Sequence, residues 1–584
     1  MENSMRTLKV KVPVFLLFVV MFDWIGFGQT RTVGLFLNDT AKAFKGYTLF
    51  APKQNTMTHL IDNTGRIVHQ WTASKYPPGQ SVYLLESGHL LRTCMTQGNL
   101  GTGGGEGGRV EEYSWNDSLV WSLDYSTSTY MQHHDIKRLP NGNIIMLVVE
   151  KKTLAQVEAA GFDTSKIQEP DFQQKQMLLP DAVVEIQPTY PVGGTVVWSW
   201  HVWDHLIQNH DATKSNYGVP SAHPELIDAA GDHKNLPLFW NHMNSIDYNA
   251  AFDQIALSVR GNSEVWIIDH STTAAEAAGH TGGKGGKGGD LLYRWGNPIT
   301  YGAGTANDEK LFQQHDAEWI KAGCPGAGDI MCFNNGVGRN YSTVDEITLP
   351  VDSKGNYTLV TGGAYGPTAL TWTYQATPPT SLYGADISGA QRLPNGNTLI
   401  NNGPLGTFIE VTSTGTVVWK YINPVDLTGP LAWSGTIPDD ATHPGEKMNS
   451  VFRTYRYATD YAAFTGKTLT PGNYVEQYAT AVASGTKQLP NSLELFQNYP
   501  NPFNPSTVIE FRLPVEGYVT VKIFNTLGEE VALLLCDVRP AGSYTVSWNA
   551  GSVPSGMYFY RLQLRPLGDG STLFQQTKKL VLLR

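Results

Sequence analysis

Short runs in which apolar and polar residues alternate, broken by Gly, Asn and Pro, fill most of this chain. Period-two alternation predicts half-buried strands. Residues 239–260 show it plainly. The polar cluster Asn241-His242-Met243-Asn244 leads into Ile255-Ala256-Leu257-Ser258-Val259, which closes on Arg260. Two larger motifs recur. One is a strand, a turn with Gly or Asn, and a strand ending in Trp. It reads LIDNTGRIVHQW to Trp71, VEEYSWNDSLVW to Trp121 and VEIQPTYPVGGTVVW to Trp198, then IIDHS…GGDLLYRW to Trp295, TALTW to Trp372 and FIEVTSTGTVVW to Trp419. The other is a strand–turn–strand unit: SVYLLESGHLL, HDIKRLPNGNIIML and SGAQRLPNGNTLI, with looser copies starting at His242 and His315. Small antiparallel sheets repeating every ~40–50 residues predict a β-propeller, and six Trp strands predict six blades. A pair of sandwiches or a β-helix is the alternative, without that blade-sized period. Longer spacings hold insertions at 153–174, 209–237 and 281–290.

The ends read differently. Residues 1–28 carry Arg6, Lys9 and Lys11, then an apolar run over 12–22 and small residues at Gly26 and Gly28, the pattern of a secretory signal. No later stretch is apolar enough to span a membrane, so the mature chain is expected to be exported with no span. Composition shifts near residue 478. A linker is placed at 478–490, and the short strands of 491–584 predict a compact immunoglobulin-like sandwich. The expected fold class is therefore all-β: a six-bladed β-propeller over 29–477, followed by a small β-sandwich.

Composition narrows the partners. A net charge of −10 without any Lys/Arg-rich tract argues against nucleic acid. Four cysteines are few for a disulfide-stapled protein, although Cys324 and Cys332 flank a Pro-Gly-Ala-Gly turn that would let them pair in an oxidising compartment.

Aligned on their turns, His134 and His315 occupy one slot, His242 falls there within a residue or two, and Gln80 and Ser388 fill it in other repeats. In a propeller, such positions ring one axis. Three imidazoles with Arg260 and Asn244 around a small oxyanion suit sulfuryl transfer: a neutral imidazole as nucleophile, a guanidinium on the sulfate oxygens, a second imidazole for the leaving oxygen. Chemistry alone leaves open which histidine is the nucleophile. No cofactor or metal is called for. The Gly-rich run 103–108 reads as a blade turn, since no Lys-Ser/Thr follows it. His201, Asp204 and His205 read as structural or rim residues. Asp316, next to His315 on a strand, should face the other way.

The segments HHDIKRLPNGN, NHMNSIDY…SVRG and QQHDAEW resemble those of the bacterial arylsulfotransferases, over about residues 45–475. The resemblance implies a six-bladed propeller that uses no nucleotide sulfate donor. It implies ping-pong transfer from a phenolic sulfate ester to a phenol through a sulfohistidine. By motif, His315 matches the sulfated histidine, His242 and Asn244 the H-x-N motif, Arg260 its arginine and His134 the remaining histidine, with His133 as neighbouring competitor. Met243 stands where better-known members carry Thr. NYPNPFNPST, VKIFNTLGEEV and GMYFYRL resemble the C-terminal sorting domain of type IX secretion, implying that machinery as a partner and a destination at or beyond the outer membrane. A non-catalytic exported propeller used for surface binding, or a metal- or quinone-dependent propeller enzyme, are the competing readings.

Overall fold

A computed structural model describes residues 31–96, 100, 104–229, 237–359, 363–477, 492–515, 517–539, 542–551, 553–566 and 574–583. The signal at 1–28 and the linker at 478–490 lie outside the described residues. The chain divides into two compact units, Met1–Ala479 and Thr480–Arg584.

The first unit is all-β, apart from short helices such as Leu154–Ala159 and Pro170–Lys175 in the first insertion. Its main sheets are antiparallel and follow one another along the chain. Five begin with Pro78–Leu84, Tyr130–Arg138, Met243–Asn249, His315–Trp319 and Gly389–Arg392 and add later strands in chain order, the last also taking Gly34–Asn38 as an outer fifth strand. The sixth joins the two ends of the unit: Val451–Ala458 pairs with Gly46–Pro52, which continues to Thr58–Ile61 and Ile67–Trp71. The leading strands also touch in cyclic order, Val451–Ala458 meeting Pro78–Leu84 on one side and Gly389–Arg392 on the other.

Each pair of successive sheets shares an apolar core. Trp121, Val110 and Leu91 of one sheet meet Ile144, Met146 and Val148 of the next. Trp198, Ile145 and Val183 then meet Ile246, Ile255 and Trp266. The last core brings Trp419 and Phe408 back to Phe50 and Ile61.

The tryptophan repeat has a specific task here. Each of the six sits on the fourth strand of its sheet and donates its indole N–H to the turn between the third and fourth strands of the following sheet. Trp71 reaches Ser114 O (3.0 Å), Trp121 Gly193 O (2.8 Å) and Trp198 Thr272 Oγ1 (3.1 Å). Trp295 reaches Pro367 O (2.8 Å), Trp372 Ser413 O (2.9 Å) and Trp419 Asn63 O (2.8 Å), which closes the cycle. A large apolar side chain with one polar handle suits such a joint, because it fills the core and satisfies a turn carbonyl at its edge.

The leading strands are bent. Register shifts interrupt five of the six, and in four of these non-glycine residues adopt positive φ beside or just ahead of the break: Gln80 (125°), His134 (46°), His242 (49°) and Asp316 (59°). Ser388 (89°) does the same just before Gly389–Arg392. Bulges re-aim side chains that a regular pleat would bury against a neighbour. Positive φ costs energy for a side chain larger than glycine, so its recurrence here marks a place where direction outranks comfort.

Cys324 and Cys332 are both free, which corrects the pairing that the spacing suggested. Cys332 is buried in one intersheet core, while Cys324 packs against the next, so the sheet itself separates them. In the second unit, a three-stranded and a four-stranded antiparallel sheet cover one core that includes Phe511, Trp548, Val521 and Leu562. No helix among the described residues is long and apolar enough to cross a membrane.

Candidate functional site

A cavity of about 590 Å³ is lined by His134, His242, Arg260 and His315, together with Gln80, Gly104, Gly105, Asp386, His443 and the Lys53–Glu446 ion pair. Residues from distant repeats thus meet in one place. The hairpin Met243–Asn249/Gln254–Val259 explains two of them. Met243 pairs with Val259, and Arg260 N–H donates to His242 O (3.2 Å), so histidine and guanidinium emerge from the same end rather than from opposite ends. The ring of His134 lies 5.1 Å from that of His242, and Phe239 stacks on His242 at 4.5 Å.

His315 is the best-oriented of the three. Its Nδ1 lies 2.8 Å from Asn335 Oδ1. The Asn335 amide donates in turn to Gly384 O (2.8 Å) and Ile387 O (3.0 Å), which fixes its oxygen toward the imidazole. An acceptor there requires the proton on Nδ1, and the lone pair is left on Nε2. Asn335 carries no sequence signal of its own in FNNG, and its part emerges only from the fold.

His134 stands at the head of a buried chain. Its Nδ1 is 2.9 Å from His133 Nδ1, and His133 Nε2 is 2.7 Å from Asp181 Oδ1. Burial raises the Asp181 carboxyl above its ordinary range, opposed by His133. Shifting protons along this chain switches His134 Nε2 between donor and acceptor. His133 and Asn244 are absent from the cavity wall, although both were expected at the substrate. His133 is taken up by His134 and Asp181, and Asn244 Nδ2 donates to Gln314 O (2.8 Å), tying the His242 strand to the His315 strand.

His134, His242 and His315 are each held well below the ordinary histidine range. For His134 and His242 burial is the main cause, followed by charge from neighbouring imidazoles or Arg260. For His315 burial and Arg260 act downward, against Asn335 and the Gln313 carbonyl. They are therefore neutral near pH 7. Burial lowers Arg260 as well, with Asp386 opposing it.

Beneath the cavity lies a residue the repeats did not flag. Arg453 is fully buried. It donates to Asp135 Oδ2 (2.8 Å) and Asn244 O (2.8 Å), and its Nε lies 2.9 Å from Asp316 Oδ1. The Asp316 carboxylate is taken up by Arg453 and by the Ala390 N–H (3.0 Å) rather than by the imidazole beside it. The Gly-rich run does more than turn a blade. Gly105 has φ +69°, its carbonyl accepts from His134 N (2.9 Å), and a Cβ there would collide with the His134 ring. His201, Asp204 and His205 do not converge: His201 Nδ1 lies 3.2 Å from Glu150, while His205 bonds Asp290 and Ala277 O.

The family model described as "Arylsulfotransferase (ASST)" matches residues 36–426, and the one described as "Secretion system C-terminal sorting domain" matches 497–581. No curated protein matches. Among solved structures, a protein of unknown function from Bacteroides caccae is 10% identical over 71% of this chain and 99% of its own, with a TM-score of 0.36. Hydrazine synthase of Kuenenia stuttgartiensis is 13% identical over 51% and 67%, with a TM-score of 0.28. Both likenesses are too distant to carry a conclusion.

Proposed function

We propose, from the premise that this chain belongs to the arylsulfotransferase family, that it moves a sulfuryl group from a phenolic sulfate ester to a phenol through a sulfohistidine at His315. The cyclic sheets are read as a six-bladed propeller over 29–477, with the cavity at its axis. Residues 1–28 are read as the export signal, 478–490 as linker and 491–584 as the type IX secretion sorting domain. The sorting domain marks the chain for export to the cell surface or the medium by the type IX system.

The observation that carries this reading is the meeting of His134, His242, Arg260 and His315 in one cavity. His315 Nε2, with its proton held at Nδ1 by Asn335, attacks sulfur as the aryl S–O bond breaks. Arg260 balances charge on the sulfate oxygens. The departing oxygen keeps the bonding pair and takes a proton from His134 Nε2, which the His133–Asp181 chain replenishes. In the second half the acceptor phenol returns that proton as its oxygen attacks sulfur, and the S–N bonding pair goes back to His315. His242 packs on His134 and contributes to the oxyanion pocket. Neutral imidazoles serve this cycle, since a protonated ring is neither nucleophile nor welcome beside Arg260.

The test uses a chromogenic aryl sulfate with and without a phenol. Release of donor phenol should depend on acceptor, and donor alone should leave a sulfuryl adduct on His315, read by mass spectrometry. An adduct on His134 or His242 would reverse the roles. A folded protein with no turnover would leave only a binding function.

A further inference from the structure

Away from the histidine cavity, His205, His280 and Asp290 gather so that one ligand atom from each lies within 4.8 Å of the others. We infer that this cluster is a binding site for a divalent transition metal of the zinc class, with a coordination position open to an adjacent cavity.

The argument begins with one proton. His205 is fully buried, stacked on Trp200 at 5.5 Å, and its Nε2 lies 2.9 Å from Ala277 O. A carbonyl oxygen only accepts, so the ring carries a hydrogen on Nε2, and Nδ1 is the atom left to face the carboxylate. That Nδ1 faces Asp290 Oδ1 at 2.9 Å. His280 Nδ1 approaches the same oxygen at 2.7 Å. Between Nδ1 and the carboxylate a cation is required, which a second ring proton or a metal ion supplies, and a metal ion also engages His280 Nδ1 at the same oxygen. A ring whose second nitrogen donates to a backbone carbonyl is also how metal-binding histidines are oriented and made more basic.

The surrounding chain is shaped for this arrangement. His280 and Asp290 bracket a glycine-rich loop that folds on itself, with Gly289 N donating to Gly279 O (2.9 Å). Gly289 O accepts from Trp200 Nε1 (2.6 Å), and any side chain at Gly289 would meet the His205 ring. Two nitrogens and one carboxylate oxygen are a zinc-class donor set, and three protein ligands leave a fourth place for water or an added ligand. Bonds of ~2.0–2.2 Å in a tetrahedron set ligand atoms roughly 3.3 Å apart. Binding therefore asks Asp290 Oδ1 to draw apart from both buried His205 (2.9 Å) and exposed His280 (2.7 Å) by about half an ångström. His280 also forms part of the wall of a second cavity of about 600 Å³, beside Trp203, Asp204, Tyr217 and His223, so the cluster borders that space through its exposed ligand.

The full chain, stripped with chelator, is titrated with zinc chloride alone, washed, and assayed for bound metal and thermal stability. The expected result is one retained zinc per chain and a raised melting temperature. His280→Ala and Asp290→Asn should each weaken binding roughly 100-fold or more, beyond the 10–100-fold cost of an outer-shell change. His280 is exposed, so its variant should fold, and circular dichroism checks this. His242→Ala should keep the metal. No retained zinc in the wild type, zinc retained in His280→Ala, or zinc lost from His242→Ala would overturn the site. Because the sulfuryl-transfer assay is separate, failure here leaves that reading intact.

Discussion

Asn335 offers the sharpest test of how His315 is prepared. Its side chain makes three contacts at 2.8–3.0 Å: its oxygen accepts from His315 Nδ1–H, and its nitrogen donates to Gly384 O and Ile387 O. Asn335→Ala removes all three. Leaving a buried N–H without an acceptor costs ~1–3 kcal/mol, and the two carbonyls add about 1 kcal/mol each, so the fold should lose roughly 3–5 kcal/mol. For the chemistry, the N–H acceptor matters most. Its hydrogen bond strengthens as the ring gains positive character on attack, so ~1–3 kcal/mol of transition-state stabilisation should go, which is about 5- to 150-fold in rate. Asn335→Asp is worse for structure, since a carboxylate cannot donate to either carbonyl. The assay is stopped-flow release of donor phenol together with adduct mass spectrometry, at a temperature where circular dichroism finds the variant folded. The loss should fall on the rate of adduct formation, with little change in donor affinity. A folded Asn335→Ala protein that forms the adduct at the wild-type rate would refute the idea that this amide sets the tautomer.

The remaining predictions are brief. Arg453→Met strands Asp135 and Asp316 in the interior, and breaking such a buried pair costs ~3–5 kcal/mol, so thermal unfolding should move down sharply; an unchanged midpoint would contradict this. Gly105→Ala strains a positive-φ position and drives a methyl into His134, so donor turnover should fall on the order of 100-fold with the fold retained; wild-type turnover would show that the loop does not shape the cavity. His59 is pushed down to about 4 by burial, which makes the folded state the poorer proton acceptor. Its contribution is full above ~6.5 and lost as pH falls toward about 4, worth roughly 3 kcal/mol. His134, His242 and His315 act in the same direction, and urea melts at pH 7.5 and 4.5 should differ at least that much. Trp121→Phe keeps one aromatic ring but loses the bond to Gly193 and some packing, so about 1–2 kcal/mol should go in a urea melt, against ~3–5 kcal/mol for Trp121→Ala.

Much of this chain is open to reading along its length because its information is periodic. Alternation predicts strands wherever one face is buried, and Trp71 through Trp419 recur because every sheet needs the same joint to its neighbour. The residues of the candidate site were legible for a related reason: His134, His242 and His315 interrupt a repeat where other copies hold Gln80 or Ser388. What local pattern cannot carry is the identity of partners across the ring. Asn335, Arg453 and Asp181 look ordinary in sequence, since each acquires its meaning from atoms far away in the chain. The same holds for Gly105, whose left-handed backbone matters only because an imidazole lies against it. His133 and Asn244 drew attention by adjacency and motif, yet bulges turn them toward buried neighbours and leave the cavity to others.

Cys324 and Cys332 make the contrast concrete. Proximity along the chain suggested a bond, but a strand sends successive stretches to different cores, and the sheet between them decides the matter. Composition, alternation and repeat thus determined the all-β class, the boundary of the tail and the short list of imidazoles, because those properties are set residue by residue; the tail's part in secretion came from the resemblance of its motifs. Only the closed tertiary arrangement decided which nitrogen of His315 carries the proton, which histidine faces the cavity and what lies beneath it, because hydrogen bonds and buried charge depend on three-dimensional neighbours.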